Sequence, residues 1–313
     1  MITFKKILVV TSTDLIQPSV ISQSAKIAQR HQSHVTFFNV IEDLPQEQLK
    51  WITALPPQEL MANVVAEKQM SLSDSVNKVQ GQYPSVDTSI KIGLPFIETT
   101  KKVQQDKYDL VLLAAKSERK PRKSFFGSTT VHLMRKCPCP VLTIGNNIDK
   151  PIKKIAAAID VYAPTTEGRK LNEKIVINAA NLATQENAEL HVIHAWKLPS
   201  ADYLAAWGNP SEIDRLEIIM KEKQNRNKHI NSIIEQVVTS HCKPITALME
   251  GEAQEKIPEY VKDNDIDLIV MGTVCRTGIP GYFIGNTAES ILSEVSCSVL
   301  TLKPEGFISP VEI

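Results

Sequence analysis

Two parts of this chain resemble each other, and this internal repeat limits the choice of folds more than any other feature. The run Lys5–Val10 resembles Lys153–Ala158, and Cys139–Thr143 resembles Cys297–Thr301 in the same order. Such segments favour two copies of one domain, the second longer by about ten residues in its early loops. A chain of 313 residues also has the length expected for two domains.

Each copy alternates short apolar runs with helical patterns, which is typical of a parallel β-sheet covered by helices on both faces. We therefore predict an α/β fold with two tandem five-stranded parallel sheets, one in residues 1–148 (the first copy) and one in residues 149–313 (the second copy), joined by a linker near residues 146–151. Strands are predicted near residues 6–11, 34–40, 86–92, 110–115 and 140–144, then near 155–160, 189–196, 244–250, 267–271 and 298–302. Helices are predicted near residues 18–31, 57–80, 96–105 and 128–135, then near 169–185, 211–240, 253–263 and 286–295.

The overall charge of the chain is balanced, with 35 basic and 35 acidic residues. This balance removes the usual electrostatic argument for binding nucleic acid or an anionic membrane surface. No apolar stretch approaches the ~18 residues of a membrane span, and the N-terminus lacks the pattern of a signal peptide. We therefore expect a cytoplasmic protein with neither nucleic acid nor membrane as a partner.

The five cysteines and seven histidines do not form a recognisable metal site. Cys137 and Cys139 are the only close cysteine pair; buried free thiols are the simplest interpretation, and a metal or redox role is the alternative. His191 and His194 lie three apart in a predicted strand, so they face opposite ways and cannot chelate one ion together. A zinc site formed by one of them with loop residues stays open. No grouping has recognisable catalytic spacing, so we predict no catalytic residues and no metal ligands.

The stretch after residue 267 has the pattern of a phosphate-binding loop. Leu268–Met271 is an apolar run suited to a strand covered on both faces, and Gly272 follows it directly. After a loop that contains Arg276, the small residues Gly285–Thr287 open a predicted helix. Free backbone N–H groups and the positive end of a helix dipole together favour a phosphate at such a place.

This stretch resembles the phosphate loop of the universal stress protein family, whose nucleotide-binding members carry Gly-x2-Gly-x9-Gly-Ser/Thr. The matching positions here are Gly272, Cys275, Gly285 and Asn286, so a cysteine replaces the second glycine and an asparagine the hydroxyl residue. The resemblance covers essentially the whole chain, twice, as in the tandem two-domain members. It implies the adenine nucleotide alpha hydrolase-like, Rossmann-like fold with strand order 3-2-1-4-5 and a ligand crevice between the first and fourth strands.

The resemblance also implies a site. In nucleotide-binding members an acidic residue at the end of the first strand holds the adenine or ribose side, and Asp160 stands at that position. The cofactor would be ATP or ADP with Mg²⁺. The implied binding residues are Ile159, Asp160, Met271, Gly272, Thr273, Cys275, Arg276, Gly285, Asn286 and Thr287.

The first copy has lost most of this motif. Ser12 stands in place of the acid, and Ala114 and Ser117 replace the two glycines, so that only Gly127-Ser128 fits. The intervening loop is strongly basic, which favours a solvated charge run, with an anion or partner site as the alternative. Its basic residues are Lys116, Arg119, Lys120, Arg122 and Lys123.

The resulting hypothesis is a stress-response regulatory protein that binds an adenine nucleotide in its second copy. Three alternatives stay open: a nucleotide-free interaction or scaffold protein, a slow ATPase, and a carrier of an apolar ligand in a cleft under Trp196, Tyr203 and Trp207. The similar apolar segments Val141–Ile144 and Val299–Leu302 predict that the two copies pack on each other as an intrachain pseudo-dimer. A homodimer of the whole chain and further protein partners also stay open.

Overall fold

A computed structural model of the protein describes residues 3–11, 16–43, 56–115, 126–145, 150–198, 212–237, 243–273 and 286–313. The elements of the first copy are β1 (Lys6–Thr11), α1 (Pro18–His31), β2 (His34–Ile41), α2 (Pro57–Asn77), a short 3₁₀ helix (Gln80–Gln82), β3 (Ser85–Ile92), α3 (Pro95–Asp106), β4 (Leu110–Ala114), α4 (Ser128–Lys136) and β5 (Val141–Ile144). Those of the second copy are β6 (Lys154–Ala158), α5 (Thr166–Glu186), β7 (Glu189–Trp196), α6 (Glu212–Val237), β8 (Ile245–Glu250), α7 (Ala253–Asp263), β9 (Leu268–Gly272), α8 (Asn286–Glu294) and β10 (Ser298–Leu302).

The ten strands of the described ranges form one sheet in the order β3-β2-β1-β4-β5-β10-β9-β6-β7-β8. Within each copy the strands are parallel and follow the order 3-2-1-4-5, which confirms the predicted fold. The two five-stranded sheets are joined because β5 pairs with β10 in the antiparallel direction. The outer strands of the joined sheet are therefore β3 and β8.

Helices cover both faces of the sheet. On one face α1, α2, α5 and α6 contribute to one apolar cluster, and on the other face α3, α4, α7 and α8 contribute to a second. Alternate strand residues point into opposite clusters; Ile7 and Val9 belong to the first, whereas Leu8 belongs to the second. Burial on both faces explains why the strands are continuous apolar runs rather than alternating ones.

Local sequence determines where several helices begin. A proline occupies the first turn of α1, α2 and α3, where its fixed φ suits a helix and its missing N–H needs no acceptor. Helix α5 begins at Thr166 because the side chain of Thr165 accepts a hydrogen bond from the Gly168 N–H at 3.0 Å. None of the helices in the described ranges combines the length and apolar character needed to cross a membrane.

The repeat is visible in individual hydrogen bonds. The carboxylate of Asp109, just before β4, accepts a bond from the backbone N–H of Lys5 at 2.7 Å. Its counterpart Asp267, just before β9, accepts one from the backbone N–H of Lys153 at 2.7 Å. In each copy the same carboxylate therefore ties the start of the fourth strand to the start of the first.

The contact between the copies has the form of a pseudo-twofold interface. The hydroxyl of Thr143 in β5 donates to the carbonyl of Val299 at 3.3 Å, and the equivalent Thr301 in β10 donates to the carbonyl of Val141 at 3.3 Å. Both threonines are at most 2 % exposed. The chain is thus an intrachain pseudo-dimer, as the sequence predicted.

A second contact between the copies joins α1 to α5. Glu186, whose side chain is 8 % exposed, accepts from Arg30 at 2.9 Å and also pairs with Lys26. Beneath these groups lies a largely apolar cavity of about 80 Å³, which reaches Leu142 and Leu300 of the central strands. Burial opposes ionisation of Glu186, but the hydrogen bonds from Lys26 and Arg30 outweigh it and lower the pKa of this carboxyl group.

Candidate functional site

The two strands predicted to border the ligand crevice are neighbours. Strand β6 pairs with β9 in parallel, with Ala158 opposite Met271. Asp160 lies two residues beyond the end of β6, and Gly272 is the last residue of β9. Both therefore lie at the carboxyl edge of the sheet, at the point where the order of winding reverses.

The backbone of Asp160 is held in place by Asn172 of α5. The Asn172 side chain accepts from the Asp160 N–H at 3.1 Å and donates to the Asp160 carbonyl at 2.6 Å. Asn172 is 4 % exposed, so its amide group lies on the protein side of these two bonds, away from solvent. This residue was not predicted from the sequence; the available signal was a polar side chain among the apolar positions of α5.

Gly272 allows α5 to approach the end of β9 closely. A Cβ atom at this position would lie 2.8 Å from Cδ2 of Leu171 and 3.6 Å from Cδ1 of Ile175. The absence of a side chain therefore has a packing role here, in addition to any role in ligand approach. Ala114 is the equivalent last residue of β4 in the first copy.

Thr273 points into the contact between the two copies. Its side chain is buried, and its hydroxyl donates to the carbonyl of Met134 in the last turn of α4 at 2.9 Å. The same hydroxyl accepts a hydrogen bond from Nζ of Lys303 at 2.5 Å. The ammonium group of Lys303 also donates to the carbonyls of Met134 at 2.7 Å and Arg135 at 3.0 Å.

Lys303 is a lysine in an unusual environment. It is 3 % exposed, and its Nζ lies 4.7 Å from the centre of the Phe307 ring. Burial lowers the pKa of Lys303 to about 7; Cys137 opposes this shift and Arg135 adds to it. The three oxygen acceptors match the three N–H groups of an ammonium, and the negative end of the α4 dipole also favours the charge.

The remaining predicted residues divide into three groups. Ile159 and Met271 are buried in the two apolar clusters, so that their backbones rather than their side chains face the carboxyl edge. Asn286 begins α8 as predicted, and Thr287 in its first turn is exposed. Cys275, Arg276 and Gly285 lie outside the described residues.

An arginine between two aromatic rings also lies near this edge. The guanidinium carbon of Arg226 in α6 is 4.4 Å from the Trp196 ring centre and 4.6 Å from that of Tyr162. Arg226 is 3 % exposed and pairs with Glu222, one turn away. One face of Trp196, at the end of β7, is therefore covered by a buried cation. The other members of the predicted apolar cleft, Tyr203 and Trp207, lie outside the described residues.

In the first copy, the described part of the degenerate motif consists of Ala114, Gly127 and Ser128, and Ser128 begins α4. The positions outside the described residues are Ser12, Lys116, Ser117, Arg119, Lys120, Arg122 and Lys123.

The two strand histidines make separate contacts. The ring of His191 contacts the Tyr260 hydroxyl at 2.7 Å and the Glu189 carboxylate at 2.6 Å. His194 contacts the carbonyl of Ile159 at 3.0 Å. Within the described ranges, no group of three or more His, Cys, Asp or Glu side chains could hold a metal ion.

The doubled 3-2-1-4-5 unit defines the class: a tandem α/β protein with the adenine nucleotide alpha hydrolase-like fold. The model of the universal stress protein family matches residues 3–145 and again residues 151–303. The chain therefore belongs to the universal stress protein family, a family of stress-response proteins.

Individual relatives agree with this assignment. The chain is 25% identical over 322 residues to universal stress protein E of Photorhabdus laumondii, an alignment that covers 100% of this chain and 99% of that protein. A solved structure of a functionally unknown protein from Pseudomonas aeruginosa PAO1 is similar with a TM-score of 0.71 and 23% identity, over 97% of this chain and 94% of that one. A universal stress protein from Archaeoglobus fulgidus DSM 4304 gives a TM-score of 0.57 at 14% identity, over 96% and 98% of the two chains. At these identities the two structures support the fold alone.

Proposed function

We propose that the protein is a cytoplasmic stress-response regulator that binds one adenine nucleotide, ATP or ADP with Mg²⁺, in its second copy. The observation that carries this proposal is the pairing of β6 with β9, because Asp160 follows β6 and Gly272 ends β9 at the same carboxyl edge of the sheet. Ligands of open α/β sheets bind at this kind of position. We also propose residues 1–148 and 149–313 as the two domains, the first with a degenerate nucleotide motif.

The chemistry of the proposed residues suits the parts of a nucleotide. The carboxylate of Asp160 would accept hydrogen bonds from ribose hydroxyls, and Asn172 fixes the backbone that carries it. The backbone of Gly272, Thr273 and Cys275, and the start of α8, would face the phosphates. Arg276 would neutralise phosphate charge. Bound Mg²⁺ would reduce the repulsion between the phosphate oxygens.

The experiment is calorimetric titration of the full chain with ADP and with ATP, with and without Mg²⁺. We expect one nucleotide per chain, and we expect Asp160→Asn to weaken binding about tenfold, the loss of one good polar contact. Asp263→Asn is the matched control, because it makes the same change at an exposed carboxylate at the end of α7. Two nucleotides per chain, no binding at millimolar concentration, or equal affinity of the two variants would contradict the proposal.

Mass spectrometry of small molecules released from the purified protein by heat separates this proposal from its alternatives. Release of an adenine nucleotide would support the proposal. Release of an apolar compound would favour a carrier of apolar ligands, and release of no small molecule would favour a nucleotide-free interaction protein. Release of phosphate from bound ATP over hours would add slow ATPase activity. A homodimer would be detected by light scattering; the outer strands β3 and β8 are the edges available for a second chain.

A further inference from the structure

The contact of Lys303 crosses from one copy to the other. Lys303 follows β10 in the second copy, whereas its acceptors Met134 and Arg135 lie in the last turn of α4 in the first copy. The last carbonyls of a helix have no partner within the helix and need an external donor. Lys303 therefore caps a helix of the other copy, with its charge at the negative end of that helix.

Thr273 connects this cap to the proposed nucleotide site. It follows Gly272 directly, and its hydroxyl is bonded both to Lys303 at 2.5 Å and to the carbonyl of Met134 at 2.9 Å. Thr273 is 1 % exposed, so water does not compete for these bonds. The backbone position of Gly272–Thr273 consequently depends on α4 of the first copy.

The pseudo-equivalent contact is absent from the other side of the interface. The repeat places Gly145 at the position of Lys303 and Ala115 at the position of Thr273. A Cβ atom on Gly145 would lie 3.0 Å from backbone atoms of Cys297 and Ser298, so the close approach of the two copies leaves little room for a side chain there. The anchored strand end is thus in the copy that keeps the nucleotide motif.

We infer that the first copy serves the second as a structural partner of its ligand site, with Lys303 as the positioning residue that joins the end of β9 to the last turn of α4. This inference rests on the proposed function for the identity of the ligand. The first copy, which has lost most of the nucleotide motif, would thus have a structural role in the site of the second copy. Because coupling between two places is reciprocal, nucleotide bound beside Gly272 would also stabilise the last turn of α4.

The test is hydrogen exchange of the full chain, with and without ADP, for the wild-type protein and Lys303→Met. In the variant we expect faster exchange both at Met271–Thr273 and at the last turn of α4. We also expect about tenfold weaker ADP binding, within the usual range of coupling between sites. In the wild type, ADP should slow exchange in the last turn of α4, and this effect should vanish in the variant. A purely structural role for Lys303 would not produce that ligand-dependent difference.

Lys174→Met is the matched control. Nζ of Lys174 donates to the backbone carbonyl of Lys303 at 3.1 Å, so this lysine supports the same segment from within the second copy. We expect its removal to leave exchange in α4 unchanged. Thr273→Val provides a milder second variant, which removes the shared hydroxyl and keeps the shape; it should act in the same direction as Lys303→Met.

Faster exchange on only one side of the interface, or the same pattern in Lys174→Met, would overturn the inference. If the wild-type protein binds no ADP, the proposed function fails. Hydrogen exchange of the wild-type protein and Lys303→Met without ligand then still shows whether Lys303 couples the two copies.

Discussion

The low pKa of Lys303 allows us to predict how the free energy of unfolding changes with pH. The ordinary value for a lysine is 10.5, and burial lowers that of Lys303 to about 7. Between these values the folded protein binds fewer protons at this site than the unfolded chain does. Protonation therefore favours unfolding in this window, and the free energy of unfolding rises with pH.

The expected size follows from the two pKa values. A single group changes the free energy of unfolding by at most about 1.4 kcal/mol per pH unit. Integration of the slope for Lys303 from about pH 6.5 to about pH 8.5 gives a gain of roughly 2 kcal/mol. Burial lowers the pKa of His31 and that of the half-buried His132, which moves their titration away from this window. Burial raises the pKa of Cys297, and hydrogen bonding to Cys137 together with burial raises the pKa of Cys139. These two raised pKa values lower the free energy of unfolding only at the alkaline end of the pH range.

The assay is urea unfolding of the wild-type protein and Lys303→Met at a series of pH values. Subtraction of the two curves removes the groups common to both proteins and leaves the contribution of Lys303. We expect the wild type to gain about 2 kcal/mol relative to the variant from about pH 6.5 to about pH 8.5, and Lys174→Met to follow the wild type. Parallel curves for the wild type and Lys303→Met would refute the reasoning, since they would show that the three acceptors keep the ammonium at an ordinary pKa.

Three further substitutions test the site and the interface. Asn172→Ala leaves the half-buried N–H of Asp160 without its partner and removes one of the two hydrogen bonds to the Asp160 carbonyl, which also accepts from the Ala163 N–H. It should therefore cost about 2 kcal/mol in urea unfolding and weaken ADP binding; unchanged stability would contradict the role of Asn172. Gly272→Ala should cost only about 1 kcal/mol, because the new Cβ meets the mobile end of Leu171, and a much larger loss in thermal unfolding would show that the site cannot adjust. Val299→Lys puts a charge into the fully buried centre of the interface, so it should cost about 3 kcal/mol or more and speed hydrogen exchange in both copies; an effect confined to the second copy would argue against a shared core.

The sheet was predictable from the sequence because its strands are covered on both faces. Runs such as Leu268–Met271 contain no polar residue, and turn residues separate them from the helices. The errors of prediction occur at the ends of strands and helices, where hydrogen bonds from individual side chains determine the boundary. Strand β6 was predicted to reach Asp160 but ends at Ala158, since the Asp160 N–H bonds to the side chain of Asn172 instead of a neighbouring strand. Helix α5 was predicted from Arg169 but begins at Thr166, where Thr165 provides the cap.

The candidate site was predictable only in part. The repeat and the family resemblance located Asp160 and Gly272, and the sheet order brings their strands together. Asn172 and Lys303 were not found because their partners are fixed by the packing of whole elements. In the sequence, Lys303 resembles an ordinary polar residue after a strand, and two of its three acceptors lie about 170 residues earlier in the chain. A sequence pattern contains no information about such a contact until the two copies are docked.

The pairing of β5 with β10 has a consequence for synthesis of the chain on the ribosome. The partner of β5 is the last strand, and about 160 residues separate Ile144 from Leu302. At a translation rate of about 5–20 residues per second, the apolar edge of the first copy stays without its native partner for roughly 10 to 30 seconds. During this interval the nascent protein exposes a strand suited to pairing with other chains. We therefore expect the chain to be most exposed to aggregation in the time between completion of the first copy and completion of the second.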